Sequence, residues 1–387
     1  MSRPDVIVVG AGIVGATAAA LLAEAGATTT LVEGSAIAAG ASGRNSGVVQ
    51  HPFDSTLRGV HLETVAMYRD LGRDPALAFA FPAKPAGLLL VALAEAGARR
   101  LASDLAARWP ELEPEFIGPA DLRGLEPAIG PDVSACRLGI GYPVPPAAAT
   151  RAFAAVAERR GARILVGSPV AELLRTGDRT TGVRLADGTT LAAGAILVAA
   201  GPWSPALVDP SGRWRPIRPL WGVVVEVGLA EPPRHVLEEA EMDEALGEVG
   251  LASSADDRSS AATDYRPEFS LVTAAGRSSV GSAFLDDEPD PGAWVAPLIA
   301  RGRRFIPALA DAPVGTVRAC VRPLAIDGRP LIGALPGRPG VFIAAGHGPW
   351  GISTGPGSAR LVVDAILGRP VTIPVELRAD RFGTPPG

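Results

Sequence analysis

The stretch VIVVGAGIVG near the N-terminus constrains the fold of this chain more than any other feature. Four β-branched aliphatic residues lead into three glycines, and the helix-forming run ATAAALLAEAG follows. This order predicts a strand, a tight turn and a helix whose N-terminus faces a phosphate group. Gly10 would allow the turn, Gly12 would let the backbone approach a pyrophosphate, and Gly15 would let helix and strand pack closely. The predicted contacts of the turn are Gly10, Gly12, Ile13, Val14 and Gly15.

An acidic residue follows at the distance expected for a ribose contact. The predicted second strand, TTTLVE, ends at Glu33, which lies 23 positions after Gly10. A carboxylate there suits a ribose 2′-hydroxyl and repels a 2′-phosphate. Strand, helix and acid together predict a dinucleotide site, and they leave NAD and FAD open. The same stretch could be mistaken for a signal peptide or a membrane helix, but its glycines and Glu24 argue against both.

Composition excludes several classes of protein. The chain of 387 residues is 47% hydrophobic and 20% charged, which allows two domains or one domain with an insertion. A net charge of −5 without a basic run gives no footprint for nucleic acid. Cys136 and Cys320 lie too far apart in sequence for a disulfide framework, so we expect a reducing, cytoplasmic location. Four histidines without a Cys/His cluster predict no metal site.

Two later segments favour FAD over NAD. The strand-like run GAILVAAGPWS ends in Ala200, Gly201 and Trp203, as if a further strand reached the same crevice. Near the C-terminus a predicted strand, Val341–Ala345, leads through a glycine-rich turn into a helix from about Gly355 to Leu367. The positive end of this helix would stabilise an electron-rich reduced flavin, whereas a nicotinamide has no such need. The turn and the start of the helix would contribute Gly346, Gly348, Gly351, Ile352 and Ser353.

Five motifs in this order resemble the D-amino-acid oxidase superfamily of FAD-dependent amine oxidoreductases, nearest to its glycine oxidase and sarcosine oxidase branch. They are GAGIVG with Glu33, SGRNSG, LVAAGPWS, VRPLAIDGRPLIG and AAGHGPWG. The resemblance is poor between about 221 and 270. It implies an α/β fold, with a Rossmann-like FAD-binding domain built on a parallel sheet and an inserted α+β substrate domain with an antiparallel sheet. We expect the FAD-binding domain over 1–85, 141–220 and 315–387, and the substrate domain over 86–140 and 221–314.

The resemblance also assigns the loop ASGRNSGVVQH a role beside the flavin. In this family the loop runs along the diphosphate and the edge of the ring, and Arg44 suits the diphosphate as a two-point donor. The strand that contains Val170 resembles the strand that lies on the adenine side of the site in this family. The loop residues expected to bind phosphate oxygens and to position the isoalloxazine are Ser42, Arg44, Asn45, Ser46 and Gly47.

Members of the family oxidise a carbon–nitrogen bond by moving a hydride to flavin N5, which gives an imine that water hydrolyses. The resemblance implies that Arg322, in VRPLAIDG, pairs with the substrate carboxylate. Pro349 stands where the glycine oxidase pattern has a second arginine, so we expect a different or larger amine than glycine. His347 would donate to the flavin or hold a water, His51 would face the substrate, and Tyr265 would help to close the pocket.

The electron acceptor and the attachment of the flavin stay open at this point. Sarcosine oxidases keep a lysine near N5, whereas the one lysine of this chain is Lys84, so oxygen and another acceptor are both considered. Cys320 lies two residues before Arg322, which matches the position of the cysteine that sarcosine oxidases join to the flavin 8-methyl carbon. A buried cysteine commonly serves as a small apolar residue. We expect noncovalent FAD, with a thioether at Cys320 as the alternative.

Two other functions compete with amine oxidation. GRNSGVVQH also looks like the loop of the 2-hydroxyglutarate dehydrogenase branch, which oxidises an alcohol carbon, although the GHGPWG turn favours amines. The second alternative is a flavin-binding subunit without turnover. We expect an enzyme whose partners are a small amine or amino acid and an electron acceptor, with no nucleic acid and no membrane span. The sequence leaves the oligomeric state open.

Overall fold

A computed structural model describes residues 5–240 and 267–386 of the chain. The strands in these ranges are β1 (Asp5–Val9), β2 (Thr28–Val32), β3 (Val48–Val49), β4 (Leu88–Ala92), β5 (Glu115–Ile117), β6 (Ser134–Leu138), β7 (Tyr142–Pro143), β8 (Arg163–Leu165), β9 (Val170–Thr176), β10 (Arg179–Leu185), β11 (Thr190–Ala192), β12 (Ala195–Val198), β13 (Ile217–Val227), β14 (Val236–Glu239), β15 (Ser270–Ala274), β16 (Arg277–Gly281), β17 (Val314–Ala325), β18 (Leu331–Ala334) and β19 (Val341–Ala345). The α-helices are α1 (Ile13–Glu24), α2 (Ala41–Arg44), α3 (Ser55–Leu71), α4 (Glu95–Arg108), α5 (Pro119–Leu125), α6 (Ala148–Arg159), α7 (Ser204–Val208), α8 (Val295–Gly302) and α9 (Gly351–Ile366). None of these helices is long and apolar enough to cross a membrane.

The first layer is a six-stranded sheet in the order β18-β19-β12-β1-β2-β8. Its pairs are parallel, apart from the antiparallel pair of β18 and β19. Both faces are covered, which explains why β1 is apolar from Val6 to Val9. Val6 and Val8 pack on α1 and on the core that α3, α6 and α9 share, whereas Ile7 and Val9 face a second core. Val183, in the three-stranded sheet β11-β10-β9, belongs to that second core.

The other large layer is an eight-stranded sheet in the order β17-β13-β16-β15-β14-β4-β6-β5. Its pairs are antiparallel, apart from the parallel pair of β14 and β4. Leu237 and Leu271 turn one face towards Leu298 of α8, in a core of their own. The prediction of a parallel Rossmann-like sheet with an added antiparallel sheet is therefore confirmed.

The predicted division into domains stays a prediction, and two strands run across its expected boundaries. β13 begins at Ile217, before the expected boundary at 220/221. β17, which was assigned to the FAD-binding part from 315 onward, pairs with β13 along its length. The pair therefore belongs to the eight-stranded sheet and leads the chain from one sheet to the other.

The C-terminal helix begins earlier than the sequence predicts. It starts at Gly351 rather than near Gly355, and it contains Pro356 in its second turn. Proline has no N–H to donate, so the carbonyl four residues earlier loses its helical partner. Here the hydroxyl of Tyr68, on α3, donates to the Ile352 carbonyl at 2.8 Å. A side chain of the neighbouring helix thus replaces the missing bond.

The next turn of α9 is completed by α3 in the same way. The backbone N–H of Gly357 donates to Thr64 Oγ1 at 2.9 Å. His61 Nδ1 lies 3.0 Å from the Ser353 carbonyl, which requires the tautomer with a proton on Nδ1. Since these polar groups are buried, α3 fixes the position of the N-terminal end of α9.

Candidate active site

The glycine-rich turn after β1 is built from close backbone contacts. Gly10 has a φ of +102°, and a Cβ added there would lie 2.5 Å from the Ala199 carbonyl oxygen. A Cβ on Gly15 would lie 1.9 Å from the Gly10 carbonyl oxygen. Neither position tolerates a side chain, so both glycines are needed for the turn and for the packing of α1 on the sheet.

Glu33, at the end of β2, holds the turn from the other side. Its two carboxylate oxygens accept from the backbone N–H of Ala11 at 2.8 Å and of Ser35 at 2.9 Å. The carboxylate therefore has a fixed position at the edge of the glycine-rich turn. The contact with a ribose hydroxyl stays a prediction.

The loop after β2 closes over the start of α1. Ser42 lies in α2, and its hydroxyl accepts from the backbone N–H of Ile13 at 2.9 Å. The side chain of Asn45 forms its hydrogen bonds within its own loop. Nδ2 donates to the carbonyls of Ala41 and Ser42, and Oδ1 accepts from the Gly47 backbone N–H. Asn45 thus shapes the loop, whereas Ser42 marks the place where an anion would meet the helix N-terminus.

The turn, the loop and the two large sheets enclose a cavity of about 900 Å³. The predicted cofactor residues that line it are Gly10, Gly12, Ile13, Val14, Glu33, Ser42, Arg44, Asn45, Ser46, Val170, Ala200, Gly201, Trp203, Gly348, Gly351, Ile352 and Ser353. Gly15, Gly47 and Gly346 do not line it, because they serve the backbone behind it. A Cβ on Gly47 would lie 2.4 Å from the Val144 carbonyl oxygen, and one on Gly346 would lie 3.1 Å from Ala325 Cβ.

Arg322, on β17, lies on the wall of this cavity, and its guanidinium is held on one side. Nη1 donates to the carbonyls of Trp221 and Ala283 at 3.3 and 3.0 Å, and Nη2 donates to Ser282 Oγ at 2.6 Å. The guanidinium also stacks on Phe284, 4.8 Å from the ring centroid. Burial lowers the pKa of Arg322, although the group stays charged because arginine begins so high. The structure thus places a fixed cation at the cavity.

His347 also lines the cavity, next to a tight turn over Gly348–Trp350. The side chain is 2% exposed, and Nε2 has no hydrogen-bond partner among the described residues. Burial lowers the pKa of His347 to about 4, so the ring is neutral at pH 7. A buried polar nitrogen without a partner at a cavity wall is suited to a bound molecule.

The structure describes one of the other two predicted catalytic residues, His51, and places it outside the cavity wall. His51 does not line it, because its ring packs on Trp109 and Phe53 with centroid distances of 4.9 and 5.5 Å. Its Nδ1 accepts from the Phe53 backbone N–H at 3.1 Å. The expectation that His51 faces the substrate is not met, since the aromatic cluster takes up the ring. Tyr265 lies outside the described residues.

Comparison with known proteins settles the family of the chain. The family model of the FAD dependent oxidoreductases matches residues 5–365. The chain belongs to this family. A protein from Paramagnetospirillum magneticum named D-amino acid dehydrogenase is 32% identical over 269 residues, which are 68% of this chain and 59% of that protein. The match thus spans less than two thirds of that relative's length.

Two solved structures share the fold over nearly the whole chain. Glycine oxidase from Geobacillus kaustophilus has a TM-score of 0.80 at 22% identity, and covers 98% of this chain and 99% of its own. Iminodiacetate oxidase from Chelativorans sp. BNC1 has a TM-score of 0.79 at 22% identity, and covers 98% of both chains. The resemblance read from the sequence is confirmed at the level of the family and the fold.

The cavity fits the cofactor of this family. Its volume lies near the upper end of the usual range for ligand pockets, about 300–1,000 Å³. The N-terminal ends of α1 and α9 both reach it, through Ile13 and Ile352, so two positive dipole ends face one space. Gly12 keeps that space open, since a Cβ there would approach Ser42 Oγ to 3.1 Å. The turn, the loop and α9 would hold the diphosphate and the ring of FAD.

Sequence reasoning missed several cavity residues: Gln50 and Trp350 lie inside the recognised loop and turn but were not singled out, and the others come from segments without a motif. These residues are Gln50, Trp221, Glu238, Ser282, Phe284 and Trp350. The one local signal is VLEE, residues 236–239, because two adjacent acidic residues in a strand would lie on opposite faces of the sheet. Their arrival at the cavity depends on strand pairing across long sequence separations, which no local pattern encodes.

Cys320 faces the same cavity but lacks the character of a reactive thiolate. It pairs with Gly222 across the strands β17 and β13, and it is 3% exposed. Burial raises the pKa of the Cys320 thiol, and the charges of Arg322, Arg318 and Arg44 offset this only in part. A thioether to the flavin requires the thiolate, so the environment of the sulfur favours a noncovalent cofactor.

Proposed function

We propose that this protein oxidises the carbon–nitrogen bond of an amino acid or a related amine, which gives an imine that water hydrolyses. When bound, FAD supplies the acceptor of two electrons. The proposal is carried by the guanidinium of Arg322, which lies in the same cavity as the glycine-rich turn and the SGRNSG loop. The name of the Paramagnetospirillum magneticum relative supports amino acids of the D configuration as the first substrates to test.

Arg322 orients the substrate through its carboxylate. The three hydrogen bonds to Trp221, Ala283 and Ser282 use three of its five N–H groups. Among the described residues, Nε and the second hydrogen of Nη2 stay available, and they form one edge of the guanidinium. A carboxylate bound along that edge is held in a fixed plane, which sets the direction of its α-carbon.

The walls of the cavity exclude water and carry a neutral imidazole. Trp221, Phe284 and Trp350 line the space between the two sheets. His347 is neutral at pH 7 because burial lowers its pKa to about 4, so Nε2 can donate or accept one hydrogen bond, depending on the tautomer, without adding charge. Since the reacting amine must be unprotonated, an uncharged neighbour is more suitable than a carboxylate.

The proposal also covers the electron acceptor and the location of the protein in the cell. Lys84 is the one lysine in the chain and does not line the cavity, so no lysine assists oxygen there. We propose a dehydrogenase or an oxidase, with a substrate domain formed by the eight-stranded sheet. A cytoplasmic location is consistent with Cys136 and Cys320, which are both buried and form no disulfide.

The test is anaerobic reduction of the bound flavin by D-amino acids, L-amino acids, N-methyl amino acids and 2-hydroxy acids. We expect Arg322→Lys to retain FAD and to slow reduction by amines that carry a carboxylate at least about tenfold more than reduction by amines without one. An equal loss for both classes would make Arg322 a structural residue. Reduction by 2-hydroxy acids alone would replace amine oxidation by alcohol oxidation.

A further inference from the structure

Gln50, which follows β3, carries a buried acceptor without a partner. Its Nε2 donates to Glu238 Oε2 at 3.2 Å, and because a carboxylate can only accept, this contact fixes which side of the amide carries the oxygen. Oε1 is buried and has no hydrogen-bond partner among the described residues. The side chain lines the cavity and is 4% exposed. A buried acceptor in this position suits a donor on a bound molecule.

Two contacts hold Gln50 in place. Its backbone N–H donates to Ser353 Oγ, in the first turn of α9, at 3.0 Å. Its amide lies against Glu238 of β14, in the eight-stranded sheet, whereas the glycine-rich turn belongs to the six-stranded sheet. Oε1 is thus an ordered acceptor on the side of the cavity that faces away from the glycine-rich turn. No ligand is assigned to the Glu238 carboxylate, because it has a further partner of its own.

A row of small residues leads from β14 towards the Arg322 guanidinium. Glu238 pairs with Ser270, and Ser270 pairs with Gly281. Ser282 comes next and accepts from Arg322 Nη2 at 2.6 Å. Ser270, Gly281 and Ser282 all line the cavity. Two strand spacings, roughly 10 Å, separate β14 from β16, so a flat extended group can lie between the guanidinium and the amide.

The walls beside this row are aromatic. Trp221, Phe284 and Trp350 line the same cavity. Phe284 lies 4.8 Å from the Arg322 guanidinium, so aromatic surface begins directly beside the carboxylate anchor. Aromatic rings pack favourably on one another in offset or edge-to-face geometry. The part of a substrate between the two polar ends is therefore matched to an apolar ring.

We propose that Gln50 Oε1 accepts a hydrogen bond from a neutral donor at the far end of the substrate, so that the preferred substrates are amino acids with an aromatic side chain that ends in a hydroxyl group. The inference rests on the proposed function, because Arg322 must take the α-carboxylate. An uncharged amide oxygen holds a hydroxyl group without the cost of burying a further charge. A substrate that lacks the hydroxyl leaves Oε1 unpaired in the complex, and this lowers its affinity.

Tyrosine and phenylalanine form the matched pair of probes, because they differ only in the hydroxyl group. With both enantiomers tested, we expect anaerobic reduction of the wild-type flavin to have a second-order rate constant at least about tenfold higher for tyrosine. Gln50→Met keeps the length of the side chain and removes the amide oxygen, so the ratio of the two rate constants should fall to within about twofold of one. Glu172→Gln, which removes an exposed carboxylate from β9, is the control and should keep the full ratio.

A second variant tests the position of the oxygen if Gln50→Met loses FAD. Gln50→Asn keeps both polar groups of the amide and draws the oxygen back by roughly 1.5 Å. It should retain FAD and lower the ratio at least about threefold. Loss of FAD from both variants would overturn the subsite, because Oε1 would then serve the cofactor.

Two further results would overturn the subsite while leaving amine oxidation intact. One is equal use of tyrosine and phenylalanine by the wild-type protein, and the other is a tyrosine preference that survives in Gln50→Met. If no amino acid reduces the flavin, the proposed function fails instead, and binding decides the subsite. Tyrosine should then raise the melting temperature of the FAD-loaded protein more than phenylalanine does, and Gln50→Met should remove the difference. Equal shifts would overturn the subsite on that route as well.

Discussion

Arg322 can lie against β13 only because residue 222 has no side chain. A Cβ at Gly222 would lie 2.4 Å from Arg322 Nη1 and 2.5 Å from Nη2. We expect Gly222→Ala to displace the guanidinium and to lower kcat/KM for carboxylate-bearing amines at least about tenfold. The reason is that the hydrogen bonds between Arg322 and the substrate carboxylate are lost. FAD should be retained. Stopped-flow reduction of the flavin measures the effect.

The matched control is Gly97→Ala, which makes the same change on α4 where no atom lies within 4 Å of the added Cβ. It should leave reduction unchanged and stabilise the helix by up to about 1 kcal/mol. If both variants reduce normally, the position of the guanidinium does not matter for the substrate. The dependence of Arg322 on Gly222 could not be predicted from sequence, because it arises from the pairing of β13 with β17 across about 100 residues.

His51 gives the protein a stability that depends on pH. Burial lowers its pKa from 6.5 to about 4, so between these values the unfolded chain binds a proton that the native state does not. The contribution of His51 to the free energy of unfolding is complete above pH 6.5 and is lost as the pH falls towards 4. We expect urea unfolding at pH 5 and pH 7 to show a smaller loss for His51→Phe than for the wild type, by about 2 kcal/mol. Equal losses would contradict this assignment.

At the scale of elements, α3 and α9 depend on each other. Tyr68 donates to the carbonyl that Pro356 leaves without a helical partner. Tyr68→Phe keeps the ring, so we expect a loss of about 1–3 kcal/mol in unfolding free energy and weaker FAD retention. Tyr142→Phe is the control, because among the described residues its hydroxyl accepts one hydrogen bond, from Arg69 at an exposed position. That variant should change stability by no more than about 0.5 kcal/mol.

Local sequence patterns predict some of these elements well and misplace the start of α9. The sequence predicts β1, α1 and β2 because strand residues, glycines and helix formers follow one another without conflict. It predicts β19 at Val341–Ala345, which the structure confirms. It places the start of α9 too late, because Pro356 reads as a helix breaker unless Tyr68 is known to lie beside it. Four helical residues, three of which line the cavity, were therefore assigned to a turn.

For the molecule as a whole, FAD bound in the cavity would contact both of the sheets that enclose it. A ligand that binds the native state alone stabilises it by about 2.7 kcal/mol at 100 times its Kd. We expect removal of the flavin to lower the melting temperature and added FAD to restore it. Gly12→Val should fold but gain nothing from FAD, since its side chain fills the place next to Ser42. Acid precipitation of the wild type should release the flavin, whereas a yellow pellet would indicate a thioether at Cys320.

The passage of the chain between its two sheets has a consequence for synthesis. The six-stranded sheet takes β1 near one end and β19 near the other, with much of the eight-stranded sheet between them. While the ribosome is still making β17, β12 lacks its second neighbour and the wall formed by α9 does not yet exist. Domains generally fold as units once their residues are available. Uptake of the flavin therefore comes after nearly the whole chain has left the ribosome.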